Sequence, residues 1–356
     1  MSPSTMKALV TIEGRTASVQ SIPVPTPGEG EILVKVHYVA QNPTDWKGMG
    51  SVPPGRILGC DFAGTIENAN GSHWKAGQRV AGFVQGASAN PTRGVFAEYA
   101  VIEASLVFPI PDSVSYQEAV VLPLAFGTAV QALFQRLKLP EPSKPTSSAF
   151  PVLIYGGTTS VGSYAVQLAK KAGLFVIATG SKKNNAFLKG LGADATIDYN
   201  DADWPEQVRI LTNDGLSHAF DCIAEKGSPQ GIAKALSSTK GGHLITLLPV
   251  RQLRDELQAI NSKVKAEGTI VYTAFERPLS TQYPPTYGAF DYQGEETPQD
   301  KAFWERYLTL LPDLLTKGGF KPNTVREFGG IEDILTGFKE QADGKVRAEK
   351  LVYKIA

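Results

Sequence analysis

Cysteine is scarce in this 356-residue chain: Cys60 and Cys222 are the only two. Two thiols cannot build a disulfide framework, so the fold must be held by its core, and a reducing compartment fits. An excess of charge of either sign is also missing. The 35 basic residues balance 35 acidic ones, which excludes the footprint of a nucleic-acid binder or of a protein drawn to an acidic membrane surface. No apolar run approaches the roughly 20 residues of a membrane span, and Met1 to Lys7 hold no apolar signal core. The expectation is a cytoplasmic protein with neither a nucleic-acid nor a membrane partner. Internal repeats and long low-complexity tracts are lacking too. Length argues for two domains, because 356 residues exceed the usual size of one.

What is present is a glycine turn inside a strand–helix–strand unit, Val152 to Asn184. Val152-Leu153-Ile154-Tyr155 is a short apolar run suited to a strand buried on both faces of a parallel sheet. Gly156, Gly157, Thr158, Thr159, Ser160, Val161 and Gly162 follow. Val161, Ala165, Leu168, Ala169 and Ala172 then recur at helical spacing, Gly173 ends the helix, and Phe175-Val176-Ile177-Ala178 is a second strand. The unit has the length of a βαβ motif, about 30 residues. Glycines let the backbone approach a pyrophosphate, and the helix N-terminus behind them offers N–H groups and a positive dipole end. The spacing is not a strict GxGxxG, and a bare structural turn would use the same glycines. The flanking strands favour dinucleotide binding.

The end of the second strand bears on which dinucleotide. An NAD site places Asp or Glu there for the ribose 2′-OH. No acidic residue occurs from Ser163 through Ala193; the chain instead reads Gly180-Ser181-Lys182-Lys183-Asn184. A hydroxyl, two ammonium groups and an amide suit a 2′-phosphate, so NADPH is expected. A lysine pair in a solvated loop is the ordinary alternative.

Residues 6–125 read as mostly β, with prolines 23, 25 and 27 punctuating the first connection, and suggest a partly closed barrel. Helix returns over Tyr116–Val121 and across Gly127 to Leu137. The proline- and serine-rich segment from Lys138 to Pro151 reads as an exposed loop. Beyond Asn184, helices and strands alternate in the manner of a doubly wound sheet. Glu276 to Asp300 breaks into a long polar loop, and two helices and a final strand, Glu349 to Lys354, close the chain.

That order resembles the medium-chain dehydrogenase/reductases over nearly the whole chain, carried by VLIYGGTTSVGSYAVQLAKKAG and GADATIDY. The resemblance implies an α/β protein with a GroES-like β-rich catalytic domain, residues 1–125 together with 295–356. A Rossmann domain with a doubly wound parallel sheet, residues 126–294, would be inserted in it, with the cofactor between the two. Zinc members of the family carry Cys, His and acidic ligands where this chain reads Val39-Ala40-Gln41-Asn42 and Gly59-Cys60-Asp61, and residues 82–98 hold no Cys. No metal is expected, and Cys60 reads as a packed small residue.

Without a Lewis acid, the resemblance points to quinone and enoyl reductases, which transfer hydride to the β-carbon of an activated C=C bond. Asn42-Pro43-Thr44-Asp45-Trp46-Lys47, the proline-rich insertion before Val152 and the long loop after Val271 look like the trans-acting enoyl reductases of fungal polyketide synthases. Small polar Thr159 and Ser160 in the glycine turn fit that group. The resemblance assigns NADPH contacts to Asn42, Pro43, Thr44 and Asp45, and to Thr158 through Val161. It adds Ser181 through Asn184, Tyr199, Leu247, Leu248 and, on the last strand, Lys350. Lys47 is the candidate to polarise the substrate carbonyl or supply the proton; its alternative is a solvated loop lysine. An apolar acyl pocket is expected along Phe126, Gly127, Thr128 and Phe134 and a strand Tyr272, Thr273, Ala274 and Phe275. The same side chains fit internal packing as well. A monomer is expected, because the long loop falls where many relatives pair strands across a dimer. The leading expectation is an NADPH-dependent enoyl reductase acting on a small or carrier-tethered unsaturated acyl group, with a polyketide synthase acyl carrier domain as partner. A quinone or small-enone reductase and an NADPH-binding sensor are the alternatives.

Overall fold

A computed structural model describes residues 3–50, 52–88, 90–275 and 297–356. Seven strands come first: Thr5–Ile12 (β1), Thr16–Pro23 (β2), Glu31–Ala40 (β3), Asp61–Asn68 (β4), Arg79–Phe83 (β5), Tyr99–Glu103 (β6) and Val107–Pro109 (β7). Six follow in the middle: Pro151–Tyr155 (β8), Phe175–Gly180 (β9), Ala195–Asp198 (β10), His218–Asp221 (β11), Gly242–Thr246 (β12) and Val264–Gly268 (β13). Val325–Glu327 (β14) and Lys350–Lys354 (β15) close the chain. The helices are Pro43–Met49 (α1), Tyr116–Val120 (α2), Pro123–Val130 (α3), Ser160–Lys171 (α4), Asn185–Gly190 (α5), Trp204–Leu211 (α6), Ser228–Ala235 (α7), Arg254–Ile260 (α8), Thr297–Thr316 (α9) and Ile334–Ala342 (α10).

The chain divides into two compact units. Among the described residues, the first takes the chain up to Leu124, Ala274 with Phe275, and Lys301–Ala356; the second takes Ala125–Thr273 and 297–300. In the first unit the long strand β3 is the spine. It pairs antiparallel with β4 along one edge, and with β6 and then β15 along the other. Ile32, Val34, Val36 and Val39 of β3 are fully buried. The register of β15 on β3 sets Val352 opposite Ala40, so the last strand of the chain comes to lie beside Asn42. That pairing, across more than 300 residues of sequence, brings Lys350 and Asn42 together on the Asp61 carboxylate.

The second unit is a six-stranded parallel sheet in the order β10-β9-β8-β11-β12-β13. This is the doubly wound Rossmann order, and its direction reverses between β8 and β11. Val152, Leu153 and Ile154 of β8 are fully buried, as an unbroken apolar run in a central strand requires. In α4, Tyr164, Ala165, Val166, Leu168 and Ala169 are fully buried.

Three stretches differ from the sequence expectation. Tyr272 to Phe275 is not a strand but part of a 3₁₀ turn, Val271–Phe275. Thr273 closes it by bonding Ile270 O through both its N–H (3.3 Å) and its hydroxyl (3.0 Å), which overrides the β preference of Tyr and Thr. The helix expected across Gly127 to Leu137 changes character midway: α3 passes into a π-helix, Gln131–Arg136. The expected loop from Glu276 to Asp300 ends earlier, because α9 begins at Thr297; its residues 276–296 lie outside the described residues.

Candidate active site

At the switch point of the second unit, Gly156 leaves β8 with φ +80°, a backbone conformation that suits glycine. Gly157 N–H donates to Thr179 O (2.9 Å), and Gly156 N–H donates to Thr179 Oγ1 (2.9 Å). Thr159 caps α4, its Oγ1 accepting the Gly162 N–H at 2.9 Å. A Cβ on Gly162 would overlap the Gly156 carbonyl, so only glycine lets the first turn of α4 sit directly on the turn that precedes it. Thr158, Thr159, Ser160 and Val161 are half-buried along this rim. Across the switch point, Asp221 at the end of β11 accepts the Ile223 and Ala224 N–H groups (both 2.9 Å) and the Ser228 hydroxyl (2.6 Å). Burial pushes its carboxyl up, and those three donors oppose the shift. The result is a glycine cradle at a helix N-terminus, pinned from both sides. It has the shape and polarity that a dinucleotide pyrophosphate requires.

At the end of β9, Ser181 to Asn184 form a tight turn: Asn184 N–H reaches Ser181 O (2.8 Å), and Asn184 Nδ2 reaches Ser181 Oγ (3.1 Å). Lys182 and Lys183 are exposed. Tyr199, just beyond β10, is 43% exposed, its ring centroid 6.4 Å from that of Tyr155. Leu247 and Leu248 follow β12 and are half-buried.

The first unit holds a second cluster. Asn42 and Asp45, at the start of α1, are almost fully buried. Asp45 Oδ2 accepts the Asn42 N–H at 2.7 Å, and Asn42 Nδ2 donates to Asp61 Oδ2 at 2.8 Å. Asp61, which is fully buried, also accepts the Leu124 N–H (2.7 Å) and the Lys350 ammonium (2.5 Å). The Lys350 ammonium lies in addition 3.4 Å from Val121 O. Lys350 is therefore engaged inside the unit, not held out on its surface. Pro43 and Lys47 are exposed, Thr44 is half-buried, and the Lys47 ammonium sits 5.7 Å from the centroid of the Trp46 ring. A partly buried network fixes the helix behind them: Tyr353 donates to Gln41 (2.6 Å), Gln41 to Gln341 (2.9 Å), and Trp46 to Gln341 (3.0 Å).

The residues expected to line an acyl pocket are all buried: Phe126, Gly127, Thr128, Phe134, Tyr272, Thr273, Ala274 and Phe275. Phe126 meets the Tyr164 ring edge-on at 6.2 Å, Phe275 meets Phe83 at 5.2 Å, and the Thr273 hydroxyl donates to Asp300. Packing accounts for these side chains as they stand.

Comparison with known proteins bears on this arrangement. Residues 28–112 match the family described as Alcohol dehydrogenase GroES-like domain, and residues 160–278 match Zinc-binding dehydrogenase. A trans-enoyl reductase of Alternaria alternata is 37% identical over 99% of both chains. The chain belongs to the medium-chain dehydrogenase/reductases. A second trans-enoyl reductase, from Pyrenochaetopsis sp, is 34% identical over 96% of this chain and 94% of its own length. The solved quinone oxidoreductase of Coxiella burnetii shares the fold, with a TM-score of 0.72 at 22% identity, covering 99% of this chain and all of that one. This medium-chain dehydrogenase/reductase is thus an oxidoreductase with a GroES-like unit and a Rossmann unit, a fold that binds a nicotinamide dinucleotide.

Zinc, named in one of those family descriptions, does not fit the residues present. Cys60 is buried, and both oxygens of Asp61 already hold N–H donors, one of them a lysine ammonium that would oppose a cation. Among the described residues, no group of three or more His, Cys, Asp or Glu is placed to hold a metal ion. Four polar residues escaped the sequence reading: Asp61, Thr179, Asp198 and Asp221. Three of them end or nearly end a strand of the parallel sheet, which is the pattern that could have marked them.

Proposed function

We propose that the protein is an NADPH-dependent enoyl reductase that saturates an α,β-unsaturated acyl group tethered to a carrier domain of a polyketide synthase. The full-length likeness to proteins named trans-enoyl reductases carries this reading. The choice of NADPH is supported by the turn after β9, which offers a hydroxyl, two exposed ammonium groups and an amide where an NAD site has a carboxylate. When bound, NADPH supplies a hydride for the β-carbon of the alkene.

The chain's own residues then have three tasks. Gly156 to Gly162 hold the pyrophosphate against the positive end of α4. Asn42, held by Asp61, and Asp45 fix the start of α1, and Lys350 acts there by holding Asp61. Lys47, exposed on α1, donates a hydrogen bond to the thioester carbonyl as enolate charge develops, or delivers the proton to the α-carbon.

The test follows reduced-nicotinamide absorbance with an α,β-unsaturated thioester on a pantetheine arm and, separately, with a simple quinone. Thioester turnover that exceeds quinone turnover is expected, and Lys47→Ala lowers it roughly 100- to 10,000-fold. Turnover of the quinone alone moves the protein to general enone or quinone reduction. Cofactor bound without turnover of either compound makes it a sensor.

A further inference from the structure

The carboxylate of Asp198 joins two turns. Asp198 ends β10 and stands in register opposite Gly180, the last residue of β9. Its Oδ2 accepts the backbone N–H of Lys182 at 3.0 Å, inside the turn that carries Ser181, Lys182 and Lys183. Its Oδ1 accepts both the N–H (2.9 Å) and the side-chain amide (2.7 Å) of Asn200, folding the chain back immediately after Tyr199. The Asn200 N–H, the Lys182 N–H and the nearby Lys182 ammonium hold the carboxyl below its usual range, so the group is an anion at neutral pH.

An anion beside a site meant for a phosphate dianion is unfavourable on charge alone. Its presence calls for a compensating role, and the hydrogen bonds supply one. We infer that Asp198 is a positioning residue for 2′-phosphate selectivity: it clamps the Ser181–Asn184 turn to the Tyr199 turn, so that the hydroxyl and ammonium groups on one face the adenosine held by the other. This inference rests on the NADPH reading above. The clamp acts through the Lys182 backbone, which fixes where both lysine side chains start. An exposed lysine carries large rotamer freedom, and anchoring its backbone reduces what must be ordered when the phosphate arrives.

The two effects of Asp198 have opposite signs, which makes the idea testable. Removing only its charge strengthens binding of a 2′-phosphate; removing the clamp weakens it. Binding of 2′,5′-ADP and of 5′-AMP to the full chain is measured by calorimetry for wild type, Asp198→Ala and Asp198→Asn, together with kcat and KM for NADPH and NADH. In Asp198→Ala the preference for 2′,5′-ADP over 5′-AMP is expected to fall about tenfold or more. KM for NADPH rises in step, while kcat and the NADH parameters stay within about twofold. Asp198→Asn keeps one acceptor oxygen, enough for the Lys182 N–H or for the two Asn200 donors but not for both turns, and is expected to restore only part of the preference.

Two results overturn the inference: unchanged or tighter 2′,5′-ADP binding by Asp198→Ala, or equal weakening of both nucleotides. The NADPH reading fails separately. If wild type does not distinguish 2′,5′-ADP from 5′-AMP, or if Lys182→Ala with Lys183→Ala leaves the preference intact, the 2′-phosphate assignment itself is wrong. Selectivity lost in the double lysine variant but kept in Asp198→Ala removes only the clamp.

Discussion

Asp45 is the residue whose surroundings conflict most with its chemistry. It is 4% exposed, and one carboxylate oxygen holds the Asn42 N–H. Burial pushes its pKa up to about 7; the Asn42 N–H, the Cys60 thiol and Lys350 pull the other way, and Asp61 adds to the rise. A carboxyl that binds its proton more tightly when folded stabilises the fold most below its ordinary value near 3.8 and loses that contribution as pH rises through about 7. The stability of the wild type should therefore fall between about pH 4 and pH 7 and level off above. Asp45→Asn, which keeps an oxygen for the Asn42 N–H, should remove that part of the slope and be the more stable protein near pH 8. Urea midpoints of both proteins across this range check the sign, and parallel curves would show that Asp45 is already ionised in the folded chain. The motif Asn42-Pro43-Thr44-Asp45 was legible in sequence. Its partner Asp61 was not, because the pairing with Lys350 spans 289 positions and depends on the register of β15 on β3.

At the scale of elements, the π-helix Gln131–Arg136 gathers three donors onto one acceptor. Gln135 Nε2 (2.5 Å), Arg136 Nη2 (2.6 Å) and Gln131 Nε2 (3.3 Å) all reach the Asp300 carboxylate, and the Thr273 hydroxyl joins them. The Leu137 N–H bonds Ala132 O at 2.9 Å, five residues back, and this wider turn brings residues four and five apart to one face. Asp300→Ala takes the shared acceptor from a mostly buried guanidinium and a fully buried glutamine, and should cost about 3–5 kcal/mol in a denaturant titration. Asp300→Asn, which still accepts on one oxygen, should cost less. A loss within about 0.5 kcal/mol for the alanine variant would mean that the cluster does not hold the π-helix. Apolar periodicity read this stretch as one helix, since it does not separate a four-residue from a five-residue repeat. The strand Thr16–Pro23 ends at the first of the prolines that punctuate the first connection in sequence. Proline at its last residue marks a boundary in sequence, whereas pairing with β1 across all eight positions decides the structure. Where local signal and packing agreed, as in β8, the glycine turn and α4, the element was readable without the fold.

For the whole molecule, a balanced charge and an ordinary apolar fraction say little about function, and the information lies in the order of parts. A β-rich stretch followed by βαβ alternation was enough to anticipate the doubly wound sheet. The assignment of the C-terminal strand to the first unit came from resemblance, because β15 carries no local mark of its partner. The two units have their own cores, and the glycine cradle and the lysine turn both belong to the second. A ligand bound only there acts on the stability of that unit first. At a free concentration 100 times its Kd, NADPH should add about 2.7 kcal/mol to folding. With an unfolding entropy of about 2.1 cal/mol/K per residue, that raises Tm by roughly 8–9 °C if the second unit, of roughly 150 residues, melts by itself. The rise is only about 4 °C if all 356 residues melt together. Calorimetry with NADPH and with NADH at equal concentration should give a shift in that range for NADPH and a smaller one for NADH. Equal shifts would place the binding energy in the glycine cradle alone and remove the 2′-phosphate from the account.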